Sequence, residues 1–178
     1  MNPIRPVFTL LCLAVLFISC GSKSDRNNPR SLSTSLAEKD AIVWSSAFED
    51  LEENEVRLAD YKGKVVLVDF WESWCGPCLQ TFPVMDSLKN EYPEDFVILA
   101  VNLNSSDDKS DVISFKDEHP YNFEYLLDTN AVGPEVIELG IPFKLYFDTE
   151  GYLIKAEVGV SGNDYQKTKE IIEKYKES

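Results

Sequence analysis

The sequence predicts an α/β fold, a central mixed β-sheet flanked by helices, and three observations carry that prediction. The apolar run from Val65 to Trp71 has the length of a buried strand. Leu79, Phe82, Met85, Leu88 and Tyr92 then recur at spacings of three and four, the period of a helix with one buried face. A second apolar run, Phe96 to Leu103, follows, so that strand, helix and strand make a βαβ unit with a right-handed crossover.

The remaining elements are read in chain order. Arg5 precedes an apolar run of 12 residues, Val7 to Ile18, followed by Ser19-Cys20-Gly21. A bilayer span needs about 20 apolar residues, so a basic start and a short apolar core read as an export signal over residues 1–19. Its end resembles a bacterial lipoprotein signal, in which the Cys after a small residue carries lipid and becomes the mature N-terminus; that residue would be Cys20. Ordinary signal cleavage and retention of the segment as an uncleaved anchor are the alternatives. Residues 20–38 are rich in Ser, Asn, Lys and Arg with little periodicity, and read as a lipidated, flexible tether; the folded domain is 39–178. Val43 to Phe48 and Glu55 to Leu58 flank the acidic turn Glu52-Glu53-Asn54, which predicts an N-terminal β-hairpin extension.

After the βαβ unit comes an insertion, in which polar Asn104 to Ser110 leads into a short helix over Asp111–Glu118 and Tyr125–Leu127 adds a short strand. A further helix ends near Gly140. Phe143–Phe147 and Tyr152–Val158 alternate around Asp148-Thr149-Glu150-Gly151 as a hairpin does, and Tyr165, Thr168, Ile171, Ile172 and Tyr175 mark a closing amphipathic helix. No internal repeat interrupts this order.

A chain of 178 residues is long enough for one domain with a real core. Without residues 1–30 it has 13 Lys and Arg against 30 Asp and Glu, a formal charge of −17. Nucleic acid, which calls for a basic patch, is excluded as a partner, and the acids read as a solvated surface.

The chemistry lies in Trp74-Cys75-Gly76-Pro77-Cys78, directly after the first apolar run. Two residues between the cysteines, at a helix start, hold the Cα atoms in the roughly 4.4–6.8 Å range that a disulfide needs. So small a ring restricts the unfolded chain little, so an inert structural bond would add little stability and reactivity is the better reason for the pair. Pro77 fits the first turn, where its missing N–H costs nothing. The partial positive charge of that helix start favours a thiolate at Cys75, which would attack a disulfide, and the more buried Cys78 would resolve the mixed disulfide. A structural zinc site would need about four ligands, whereas the other cysteines, Cys12 and Cys20, lie in the first twenty residues and His119 is the only histidine. Once Cys12 leaves with the signal and Cys20 carries lipid, only Cys75 and Cys78 remain, as suits an exported catalyst that must not misbond itself.

Val68-Asp69-Phe70-Trp71-Glu72-Ser73-Trp74-Cys75-Gly76-Pro77-Cys78, with Pro83 five residues on and Gly140-Ile141-Pro142 before the late hairpin, resembles the thioredoxin family over about residues 40–178. The opening hairpin, the lead-in Asp60-Tyr61-Lys62-Gly63-Lys64 and the insertion resemble its exported, membrane-attached TlpA/ResA-type thiol-disulfide oxidoreductases. The resemblance implies a thioredoxin-like fold and exchange of dithiol and disulfide with protein substrates in the bacterial cell envelope. The Gly-Pro pairing implies the reducing direction. No cofactor is implied beyond the Cys75–Cys78 disulfide. A membrane or envelope redox donor and a monomeric state are expected, and some relatives serve cytochrome c maturation. Thr81 stands where many relatives have Glu, and Phe143 where Thr is common; both departures bear on the substrate and leave the chemistry intact.

By the same resemblance Asp69 is the buried acid that assists deprotonation of Cys78. Burial in an apolar run would raise its pKa toward a range useful for proton transfer, while the alternative is an exposed acid at a strand edge. Pro142 corresponds to the family's cis-proline, beside which an extended substrate pairs, against the alternative of an ordinary proline before a hairpin. Trp74, Gly76, Pro77, Ile141 and Pro142 make the substrate-docking set; packing is the alternative role for Trp74. Pro83 is read as structural and His119 as a solvated loop residue. A peroxidase of the redoxin group and a non-catalytic binding module are the competing functions.

Overall fold

The computed structural model describes residues 32–176. Readings that concern residues 1–31, including the export signal, Cys12 and Cys20, lie outside the described residues. The elements are α1 (Thr34–Ser45), β1 (Phe48–Asp50), β2 (Glu55–Val56), a short 3-10 turn (Leu58–Tyr61), β3 (Val65–Trp71), α2 (Gly76–Glu91), β4 (Phe96–Asn102), α3 (Lys109–Glu118), β5 (Glu124–Leu127), α4 (Val132–Val136), β6 (Phe143–Phe147), β7 (Leu153–Val158) and α5 (Asp164–Tyr175). The strands form one sheet in the order β2-β1-β5-β4-β3-β6-β7. Strands β3, β4 and β5 run parallel, and the hairpin β6–β7 and the hairpin β1–β2 join antiparallel at either side, which makes the sheet mixed.

Alternation along β3 divides the core. Val65, Leu67 and Trp71 face α2, where Phe82, Met85 and Leu88 pack with Val112 and Phe115 of α3 and Ile172 of α5. Val66, Val68 and Phe70 face the other way, onto Val43 of α1 and Val132 and Val136 of α4. All seven residues of β3 are buried, as are all seven of β4, which explains why both read as near-continuous apolar runs, interrupted in β3 only by Asp69 and ended in β4 by Asn102. Around Trp71 the packing is aromatic: Phe82, Phe115 and Tyr125 lie with ring centroids at 5.2, 4.7 and 6.1 Å.

Three readings need correction. The first strand of the N-terminal hairpin, expected over Val43 to Phe48, starts only at Phe48, because Val43 to Ser45 complete α1 and Val43 is buried as part of that helix; the hairpin strands are Phe48–Asp50 and Glu55–Val56. Thr34 to Glu38, assigned above to the tether, belong to α1, so the folded unit begins before residue 39. Only Asp40 and Val43 of this helix are buried, and the helix is held by a polar contact that apolar periodicity cannot reveal: the Asp40 carboxylate accepts the Leu153 N–H at 2.8 Å. The helix expected to end near Gly140 is a single short turn that stops at Val136, before the loop that carries Gly140. His119 is exposed in the loop after α3, as expected, with one face of its ring stacked on Phe115 at 4.5 Å. The turn before β7 follows the expectation. Asp148 accepts the Glu150 and Tyr152 N–H groups, and Gly151 has φ +84°, with Trp44 so close that an added Cβ would fall 2.3 Å from its ring.

Candidate active site

The site forms where the buried central strand β3 ends and α2 begins. Cys75 is the N-cap of α2; its Sγ accepts the Cys78 N–H at 3.2 Å and its carbonyl accepts the Leu79 N–H at 3.1 Å. Pro77 occupies the first turn. The two cysteines are disulfide-bonded, with Cα atoms 5.2 Å apart. Both cysteines are buried, Cys78 fully and Cys75 to 3% exposure, so the little surface the pair retains belongs to Cys75. Gly76 and Pro77 are exposed, and a side chain at Gly76 would meet nothing within 4 Å, which leaves the rim beside the bond open. In the reduced protein the helix start is expected to make Cys75 the faster thiol toward iodoacetamide, with a pH midpoint below the usual thiol range near 8.5. Equal or faster labelling of Cys78 would reverse the assignment of attacker and resolver.

Asp69 is wholly buried in β3, between β4 and β6, so the exposed-edge alternative does not apply. It alternates with Leu67 and Trp71 onto the face covered by α2, the face that buries Cys78. Neither carboxylate oxygen has a hydrogen-bond partner. Burial pushes its pKa up to about 6, with Lys144 opposing and Asp164 adding to the rise. Lys144 is opposite Asp69 in the β3–β6 register, is itself 1% exposed, and donates to the Gly159 carbonyl at 3.2 Å.

The Ile141–Pro142 peptide is cis. Pro142 is one residue beyond the Phe70–Phe143 pair, which puts it beside the end of β3 where the motif starts; its carbonyl accepts the Gly159 N–H at 2.8 Å. Ile141 is half-buried, and Gly140, at φ +114°, has open space around it. Trp74, at 65% exposure, is on the surface and not packed into the core. The docking residues named from the sequence therefore gather at one end of the sheet around Cys75.

Sequence reasoning quoted Glu72 without giving it a role, and did not consider Asp107. Both are buried acids beside the motif. Glu72 accepts from the Ser105 and Ser106 N–H groups at 3.0 and 3.2 Å, from both serine hydroxyls and from the Trp74 indole N–H. Burial raises its pKa, but these hydrogen bonds outweigh that effect and hold it below the ordinary glutamate value. Asp107 accepts the Ser73 N–H, the Ser73 hydroxyl and the Asn102 amide, each at 2.6 Å. Together they bind the approach to Cys75 to the loop between β4 and α3. The available sequence signal was an acid between an apolar run and the motif, paired with Ser and Asp residues in the loop after the next strand.

The model of the AhpC/TSA family matches residues 40–175. The chain belongs to this family. Thioredoxin-like protein YneN of Bacillus subtilis is 33% identical over 57% of this chain, and the match spans 61% of that relative's length. Thiol-disulfide oxidoreductase ResA of Bacillus thuringiensis subsp. konkukian is 31% identical, over 71% of this chain and 69% of the relative. Among solved structures, a putative thiol:disulfide interchange protein DsbE from Chlorobium tepidum superposes with a TM-score of 0.66 at 29% identity, covering 74% of this chain and 93% of that one. The pneumococcal exposed lipoprotein thioredoxin Etrx1 from Streptococcus pneumoniae has a TM-score of 0.62 at 26% identity, over 72% of this chain and 98% of that one. The fold is thioredoxin-like, and a bonded Cys75–Cys78 pair at the head of α2 makes this a site for thiol–disulfide exchange.

Proposed function

We propose that the protein is an exported, lipid-anchored thiol-disulfide oxidoreductase that reduces disulfides in proteins of the cell envelope. One observation carries the reading: a bonded cysteine pair at a helix N-terminus, with Cys75 at the N-cap beside an open rim and Cys78 fully buried. The Cys75 thiolate attacks one sulfur of a substrate disulfide, and the other sulfur leaves as a thiolate. Cys78, its proton passed to Asp69, attacks Cys75 and expels the second substrate thiolate, so two electrons reach the substrate and the Cys75–Cys78 bond forms. An envelope dithiol donor returns the pair to its reduced state. Action as a monomer and clients in cytochrome c maturation are specific forms of this reading.

Reduced protein is expected to accelerate reduction of insulin by dithiothreitol and to consume hydrogen peroxide no faster than an ordinary thiol does. Rapid peroxide consumption would instead assign a redoxin peroxidase, whose reactive cysteine goes to sulfenic acid. Binding of extended peptides without turnover of either substrate would assign a binding module. Export and anchoring rest on the N-terminal segment, and no helix among the described residues is long and apolar enough to cross a membrane. Mass spectrometry of the mature protein is expected to find acyl chains on an N-terminal Cys20; a mature N-terminus elsewhere, without acyl chains, would remove the anchor.

A further inference from the structure

The network around Glu72 lies outside the exchange chemistry, and its two oxygens have different partners. Oε1 accepts both N–H groups of Ser105 and Ser106 and the Ser105 hydroxyl, which shapes the loop after β4. Oε2 accepts the Trp74 indole N–H and the Ser106 hydroxyl, and the indole N–H also reaches the Ser106 oxygen at 2.8 Å. Trp74 is the residue before Cys75 and is 65% exposed. A tryptophan so exposed would ordinarily sample several rotamers, and each would have to be lost again when a partner docks. Here a buried carboxylate tethers its polar edge before any partner arrives.

We propose that Glu72 is a positioning residue that holds the Trp74 indole as a preformed wall beside Cys75, and that this favours protein disulfides over small ones. The inference rests on the reading of Trp74 as part of the docking rim. An ordered wall lowers the entropy lost when a folded or extended chain is laid against it, so the gain appears in substrate capture. A small disulfide that touches only the sulfurs gains nothing from the wall. The competing role for Glu72 is electrostatic: an anion two residues from Trp74 and three from Cys75 could oppose formation of the Cys75 thiolate, and that would alter the rate with every disulfide equally.

Glu72→Gln separates the two roles, because the amide oxygen keeps an acceptor for the two serine N–H groups while the amide nitrogen that takes the place of Oε2 cannot accept the indole N–H. Single-turnover reduction of insulin and of glutathione disulfide by the reduced protein is the measurement, with exchange of the Trp74 indole proton followed by NMR. The half-saturating insulin concentration is expected to rise about tenfold, in line with loss of a charge-assisted hydrogen bond, with an unchanged maximal rate and an unchanged rate toward glutathione disulfide. The indole proton is expected to exchange faster. Trp74→Phe, a surface change that leaves the core intact, should reproduce the rise with insulin, and the double variant should be no worse than either single one. Equal changes with both disulfides, or additive effects of the two substitutions, would overturn the inference. Wild-type protein that does not reduce insulin would overturn the proposed function, and this inference with it. Unchanged half-saturation in Glu72→Gln, with wild-type activity intact, would overturn the inference alone.

Discussion

Reduced Cys78→Ser protein is expected to capture one disulfide-bonded substrate per molecule through Cys75 and then stop. Resolution in the wild type is intramolecular, with the two Cα atoms 5.2 Å apart, whereas the variant must wait for an external thiol. The effective concentration of a well-placed internal nucleophile far exceeds the millimolar thiols of an assay, so multiple turnover should fall on the order of a thousandfold or more. Cys75→Ser should show no mixed disulfide at all. Non-reducing gels and peptide mapping check both, and in cells the trapped complexes would identify the clients. Serine is close in size to cysteine, and burial of Cys78 among Trp71, Phe82 and their neighbours leaves the fold dependent on those larger groups.

Asp69→Asn is expected to separate chemistry from stability. Attack by Cys75 should proceed at the wild-type rate, while resolution slows about a hundredfold, the usual contribution of a positioned proton acceptor. Stability should move the other way. The carboxyl group, with a pKa of about 6 in the fold against an ordinary 3.8, keeps a proton in the folded state that the unfolded chain has already released between those two values. Wild-type stability therefore falls as pH rises from about 4 to about 6 and levels off above, whereas the Asn variant lacks this loss. The two proteins should be equally stable below pH 4. Above pH 6 the variant should be more stable by at most about 3 kcal/mol, and by less where Lys144, left opposite a neutral side chain, loses its anion. Urea titrations at a series of pH values measure the difference; a difference independent of pH would mean that desolvation of Asp69 is not what distinguishes the proteins.

The parts of this molecule that announce themselves in sequence are those governed by one period. Strands β3 and β4 are buried on both faces, so Val65–Trp71 and Phe96–Asn102 read as near-continuous runs, and the helix from Cys75 has both its proline and its apolar spacing. The cysteine pair was equally plain, since two intervening residues at a helix start bring both sulfurs into bonding range. Helix α1 was missed because two buried residues in twelve give no stripe, and besides Val43 it is held by the Asp40 carboxylate, which accepts a backbone N–H from more than a hundred residues away. The Glu72 and Asp107 contacts were illegible for the same reason: they join residues 33 and 34 positions apart, through hydrogen bonds that no local pattern encodes. Asp69 is intermediate. An acid in an apolar run was visible, but that β3 lies inside the sheet, and that Lys144 stands opposite, emerges only from strand order and register.

The central claim is that electrons leave this protein through Cys75 and that the oxidised product is the Cys75–Cys78 bond. Single turnover of the reduced wild-type protein with a disulfide-bonded protein substrate, quenched in acid at successive times and mapped by mass spectrometry, tests it most directly. The expected record is a transient mixed disulfide on Cys75 alone, followed by loss of two hydrogens from the Cys75–Cys78 peptide and the appearance of two substrate thiols. A mixed disulfide on Cys78, or a substrate that keeps its disulfide while the cysteine pair stays reduced, would contradict it.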